Sequence, residues 1–371
     1  MPYQRTALSE LLGDFVVYRG LTPQDARLPG LAELRAELGL PEGHLPRKAQ
    51  ADYARVVLRT LQAAQALRTR ASLAHLLYIG DTKRNDALTI AGLGDHLPIR
   101  GFIAAEAADE PKKVEIRGGV MYANRWGALA DFLDWLTQQR YPLDEGTALL
   151  LDLDKTAFGA RGRNSRVIDS ARVAAVRRTV EEALGGAFDE QAFRTAFDEL
   201  NQQKYHGFTA DNQDYLAYIC LMVVGGVYQL PELLSDLAAG HLRTFADFIA
   251  ICARKSIPKR LVPIHQEVFA GFRQGDPTPF KSFRRREYEE TVNRMDWLPD
   301  DVGEERILAE EIVLTREVME LCRHLLRRGV LIFGLTDKPD EASLPPPELR
   351  ARGHPPLHRA RMKLLGTPLG L

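Results

Sequence analysis

Leu149-Leu150-Leu151-Asp152-Leu153-Asp154-Lys155-Thr156 decides how this chain is read. The aliphatic run from Ala148 to Leu151 has the character of a strand buried on both faces, and it ends by delivering two carboxylates separated by one residue. Open α/β sheets gather their ligands at the carboxyl ends of strands. Two like charges there repel unless a cation lies between them. A hard divalent ion with oxygen ligands resolves the repulsion, and magnesium keeps room in its shell for a phosphate group. The plainer alternative makes Asp152 and Asp154 turn or helix-capping residues after a strand.

Working outward, the pattern alternates. Upstream stand a helix from about Arg47 to Leu67, a strand Leu73–Ile79 stopped by Gly80-Asp81, and a strand Ile99–Ala104. A helix follows over Ala123–Arg140, where Trp126, Leu129, Phe132, Leu133 and Leu136 recur at helical spacing. Such alternation predicts an α/β layer with a mainly parallel, Rossmann-like sheet. Downstream the texture turns helical, with stretches over Arg166–Leu184, Glu190–Gln203, Asp214–Tyr228, Leu230–Cys252, Pro263–Phe272 and Glu305–Leu326. Strand character returns at Gly329–Gly334, and a short last strand is expected near Met362–Leu365. The expected organisation is a sheet core over 1–158, a large all-helical cap over 159–326, and the rest of the core over 327–371.

Composition narrows the function. The 371 residues exceed what one hydrophobic core usually supports, and 45% apolar with 27% charged residues is ordinary for a globular protein. A net charge of -1 provides no field to attract polyanions, so nucleic acid is not an expected partner. Cys220, Cys252 and Cys322 lie far apart, which fits a reducing compartment and neither a disulfide framework nor a zinc ribbon. No secretory start is visible, and the apolar run Tyr215–Leu230, interrupted by Gly225-Gly226, is too short to span a bilayer. A cytoplasmic protein without a membrane segment is expected.

The stretch Asp152-Leu153-Asp154-Lys155-Thr156 resembles the first motif of the haloacid dehalogenase superfamily, an apolar strand followed by Asp-x-Asp-x-Thr/Val. The resemblance implies that Asp152 is the nucleophile that forms an aspartyl-phosphate and that Asp154 is the acid and base, which favours phosphatase over dehalogenase chemistry. Leu76–Gly80 followed by Asp81 and Asp86 resembles the acidic fourth motif of the same superfamily. By that resemblance Asp152, Asp154, Asp81 and Asp86 surround the magnesium ion, with Asp81 the nearer ligand and Asp86 its support. Family order places the nucleophile first, whereas here the acidic motif precedes it by about 70 residues. A circular permutation restores the cycle: Lys48 stands where the family keeps its phosphate-binding lysine, and Thr336, after the strand Val330–Phe333, where it keeps a Ser or Thr. Lys338 competes with Lys48 for the phosphate. Arg161 and Arg163, in the loop after the nucleophile, are candidates to clamp a second anionic group, and equally surface arginines near a helix start.

The implied activity is magnesium-dependent hydrolysis of a small phosphorylated metabolite. Two alternatives stay open: a phosphotransferase or phosphomutase using the same nucleophile, and a catalytically silent binding protein. Other features lead nowhere. His354 and His358 are separated by Pro355-Pro356, which forbids the helix a zinc pair would need. The basic cluster Lys281–Arg286 is followed by Glu287, Glu289 and Glu290 and is read as a solvated, self-compensated face. Gly13-Asp14 copies part of the acidic motif but lacks its second carboxylate.

Overall fold

In the computed structural model, which describes residues 2–371, the chain divides into two compact units. One runs up to Ser170 and resumes at Thr291–Leu371; the other is Ala171–Glu290. The first contains ten strands: β1 (Arg5–Thr6), β2 (Val16–Val17), β3 (His75–Gly80), β4 (Ile99–Ala104), β5 (Val114–Arg117), β6 (Val120–Ala123), β7 (Thr147–Asp152), β8 (Leu314–Thr315), β9 (Leu331–Leu335) and β10 (Met362–Leu365). Seven of them form one sheet in the order β2-β9-β7-β3-β4-β6-β5, parallel except for the β5–β6 hairpin. The expected α/β fold with a mostly parallel sheet is therefore present.

β7 is central, which explains its composition. Flanked by β3 and β9, every one of its residues is buried, and an unbroken Ala-Leu-Leu-Leu run is what two covered faces require. On one face, Ala148 and Leu150 join Leu76, Tyr78, Leu331 and Phe333 in a core that also takes Tyr53, Val57 and Leu61 from the helix Ala51–Arg68. Beyond β3 the chain moves to β4 and β6 on one side, then returns to β7 and β9 on the other. The direction of winding reverses between β3 and β7, and such a crevice is where open sheets bind ligands.

The second unit is helical. Its core joins Val176, Val180, Phe197, Tyr218, Leu221, Phe248, Ile249 and Phe283. Helix Gln213–Val224 is buried over almost its whole length, as its uninterrupted apolar run predicts. The stretch expected as one helix over Leu230–Cys252 is two, Leu230–Ala238 and Phe245–Cys252: Gly240 takes φ 74° and Thr244 starts the second by accepting the Asp247 amide.

The helical unit is smaller than the expected 159–326, because 159–170 and 291–326 belong with the sheet. Helix Arg316–Arg327 turns Val318, Met319, Leu321, Cys322 and Leu325 inward and packs against β9. Periodicity marks a helix but does not tell which unit its apolar stripe covers. The basic cluster is also corrected: Lys281–Val292 is a helix, and Arg284 is buried. No helix of the described residues is long and apolar enough to cross a membrane.

Candidate active site

The register of the sheet brings separated segments to one edge. Ile79 of β3 faces Leu151 of β7, and Asp152 faces Leu335 of β9, so Asp81, Asp152 and Thr336 follow or end three adjacent strands at the same level. Ligand oxygens of Asp81, Asp86 and Asp152 lie within 4.8 Å of one another, and all three residues are buried. This acidic triad could hold a metal ion.

Each member is placed by local chemistry. Asp86, on the first turn of helix Asn85–Gly94, folds back beneath the end of β3: its Oδ2 accepts the amides of Asp81 at 3.0 Å and Thr82 at 2.8 Å. The fold-back demands glycine at position 80, where a Cβ would stand 2.4 Å from Asp86 Oδ2. Asp86 Oδ1 accepts the Tyr78 hydroxyl at 2.7 Å and Lys48 Nζ at 3.1 Å. With four protein donors, Asp86 is the support of the cluster. Asp81 Oδ1 accepts from the Thr82 hydroxyl at 3.1 Å, and its Oδ2 accepts from Arg161 Nε.

Asp152 is held from two sides. Lys48 Nζ donates to Oδ1 at 2.6 Å, and the buried Thr156 hydroxyl donates to Oδ2 at 3.1 Å. Thr156 is fixed in turn by Thr315, whose hydroxyl donates to its carbonyl at 2.6 Å. Lys48 itself is buried in the turn before helix Ala51–Arg68. The chain turns at once after the strand, with Lys155 in the left-handed region at φ 62°, and Asp154 stands outside the triad. Asp154 Oδ1 is buried without a hydrogen-bond partner, 3.8 Å from Lys338 Nζ. On the neighbouring strand end, Thr336 Oγ1 accepts the Lys338 amide at 3.1 Å. Lys48 thus sits on the nucleophile candidate and Lys338 beside Asp154.

The carboxylates are pulled apart electrostatically. Burial, reinforced by Asp86 and Asp81, pushes Asp152 well above the usual carboxylate range against the opposing pull of Lys48. Asp81 is raised by burial and by Asp86, with Arg161 opposing. Burial acts in the same sense on Asp86, but Lys48, the Tyr78 hydroxyl and the Thr82 amide hold it below its ordinary value. Burial opposes the charge on Lys48, yet Asp152, Tyr78 and Asp86 raise it well above an ordinary lysine.

The two loop arginines part company. Arg161 is ion-paired with Asp81, whereas Arg163 is turned away, bridging Glu106 at 2.7 Å and the fully buried Glu317 at 2.8 Å. Arg163 fastens the loop; its donors are taken. Sequence reasoning missed Tyr78 and gave Thr156 no role of its own. The signal for Tyr78 was a hydroxyl-bearing ring among the aliphatic residues Leu76, Leu77 and Ile79, two residues before Gly80. His358, dismissed as a zinc ligand, is buried between the Tyr18 hydroxyl at 2.8 Å and Asp14 at 3.0 Å. Compared with protein-family models, with curated proteins and with solved structures, the chain has no match.

Proposed function

We propose that the chain is a magnesium-dependent phosphatase-like hydrolase of haloacid dehalogenase type, with circularly permuted motif order, acting on a small phosphorylated metabolite. The observation that carries this reading is the convergence of Lys48, of Asp81 with Asp86, and of Asp152, four residues from three separated segments, at one switch-point crevice. A permuted order makes that convergence intelligible, since the acidic-motif strand β3 and the Thr336 strand β9 both flank the nucleophile strand.

Asp152 and Asp81 would hold magnesium, with Asp86 behind them, and the ion would offset charge on the phosphoryl oxygens. The donor set fits a hard cation: all oxygens, and more buried carboxylates than ammonium groups. Asp152 attacks phosphorus through a carboxylate oxygen, forming the aspartyl-phosphate as the ester P–O bond breaks. Asp154, whose Oδ1 has no hydrogen bond, protonates the departing alkoxide and later takes a proton from the water that releases phosphate and restores Asp152. Lys48 orients Asp152, and Lys338 and the Thr336 hydroxyl supply positive charge and a donor for the phosphoryl oxygens.

A silent binding protein is the competing reading, favoured by one observation: Lys48 and Arg161 already partner Asp152 and Asp81. Generic phosphate-ester hydrolysis separates the two. The hydrolase requires added magnesium, is stopped by chelation, and loses on the order of 10³-fold or more in Asp152→Asn. Equal rates in wild type and Asp152→Asn would remove Asp152 as nucleophile.

A further inference from the structure

Arg161 differs from the other cations of the site in having a half-exposed side chain on a fixed backbone, where Lys48 and Lys338 are buried. Its backbone is fixed: the amide donates to the Lys155 carbonyl at 2.8 Å, and the carbonyl accepts the Glu106 amide at 2.9 Å and Trp126 Nε1 at 3.2 Å. Gly162 locks the next position, because at φ 81° a Cβ there would fall 1.9 Å from the Glu106 carbonyl oxygen. The side chain, in contrast, is 40% exposed and reaches Asp81 through Nε; among the described residues no acceptor is bonded to its terminal nitrogens.

Charge balance says when the arm has reason to leave. With all three carboxylates ionised, as a bound cation would favour, Asp81, Asp86 and Asp152 exceed Lys48 by two negative charges. Arg161 neutralises one of them; a divalent cation neutralises both. With such an ion on Asp81, the guanidinium would lie beside a dication and lose its acceptor, while its anchored backbone keeps it at the mouth of the same crevice. A planar donor fork released there matches a phosphate oxyanion or carboxylate bidentately.

We infer that Arg161 and a divalent cation are alternative partners of Asp81, and that the entering cation turns Arg161 onto the anionic group of the substrate. Ion and substrate then bind cooperatively, because each favours the arrangement in which Arg161 has left Asp81. The inference rests on the metal-dependent reading of the site given above. It assigns recognition of the anion to Arg161 and excludes Arg163, which is tied to Glu106 and Glu317.

Calorimetric titration with Mn²⁺ and with inorganic phosphate, on wild type, Arg161→Gln and Arg161→Lys, tests it, with circular dichroism confirming that each variant is folded. Without phosphate, Arg161→Gln should bind Mn²⁺ about tenfold tighter than wild type, since the competitor is gone. At saturating Mn²⁺ it should bind phosphate about tenfold more weakly, and Arg161→Lys should fall between the two in both titrations. Arg161→Gln binding Mn²⁺ no tighter than wild type, or binding phosphate equally well with Mn²⁺ present, would overturn the role of Arg161 and leave the metal site standing. No Mn²⁺ binding by wild type and by Arg161→Gln alike, at millimolar ion, would overturn the metal-dependent reading and this inference with it.

Discussion

Two clusters of buried charge, one in each unit, look alike in a list of residues and differ in how they close. In the helical unit Asp214 Oδ1 accepts the Phe280 amide at 3.1 Å and its Oδ2 accepts Arg284 Nε at 2.8 Å. Glu287 is taken by Arg284 at 2.5 Å and by Arg172 at 3.1 Å. Two carboxylates meet two guanidinium groups, so the charges of the cluster balance. At the sheet edge, three buried carboxylates share one buried ammonium and one half-exposed guanidinium, and a fourth carboxylate, Asp154, has Lys338 3.8 Å away and keeps an oxygen without a hydrogen bond. Imbalance of charge, rather than burial of charge, separates a site from a structural staple.

The largest expected effect follows from that imbalance. Asp152→Asn should abolish turnover, by on the order of 10³-fold or more, without lowering stability. Because the folded-state pKa of Asp152 is raised, chiefly by burial, the contribution of its carboxyl group to stability is present at low pH and lost as pH rises through the raised value. Replacing it with a neutral amide should therefore lift the urea midpoint near pH 8 in chelator, and the gain should shrink as pH approaches the ordinary carboxylate range. A variant as destabilised as it is inactive would make the sheet-edge cluster a staple after all.

Arg284→Met should do the reverse. It strands Asp214 in the helical core and leaves Glu287 to Arg172 alone, and breaking a buried pair from one side costs about 3–5 kcal/mol. Urea unfolding should register that loss, while the triad at the sheet edge, in the other unit, keeps all its partners. A loss below about 1 kcal/mol would mean that the helical cluster is not closed in the way its hydrogen bonds indicate.

Gly80→Ala probes how the triad is built. A Cβ would stand 2.4 Å from Asp86 Oδ2 and 2.9 Å from the Tyr78 ring, so the carboxylate that organises the loop must move. A cost of about 1–3 kcal/mol, together with weakened Mn²⁺ binding, is expected from urea unfolding and calorimetry. Unchanged ion affinity would show that Asp86 is not needed to set Asp81 in place.

How much of this was legible in the sequence depended on the range of the interaction. β7 was readable because burial on both faces leaves an unbroken apolar run, and Asp152, Asp154 and Asp81 were readable because they punctuate such runs. Lys48 was reachable only through cyclic motif order; nothing local distinguishes a lysine that lies 2.6 Å from Asp152 from one in solvent. The hairpin of β5 and β6 escaped because β5 is exposed along its whole length, and β2 because two residues show no period. The split between Arg161 and Arg163 was beyond any pattern, since it depends on Glu317 more than 150 residues away.

Tyr78→Phe carries the smallest expected effect and tests the finest part of the contrast. The hydroxyl donates to Asp86 at 2.7 Å and receives Lys48 at 3.3 Å, so its removal takes one of four donors from Asp86 and one of three acceptors from Lys48. Losing one charge-assisted bond, with the ring still filling its place, should cost about 1–2 kcal/mol in urea unfolding. Because the phenol is fully buried and its pKa is driven far above the ordinary tyrosine value, it stays protonated and has no proton to give during turnover. Turnover should accordingly fall by less than about tenfold, in contrast to the loss in Asp152→Asn. A loss as large as that of Asp152→Asn, at unchanged stability, would move Tyr78 from holding the carboxylates to taking part in the chemistry.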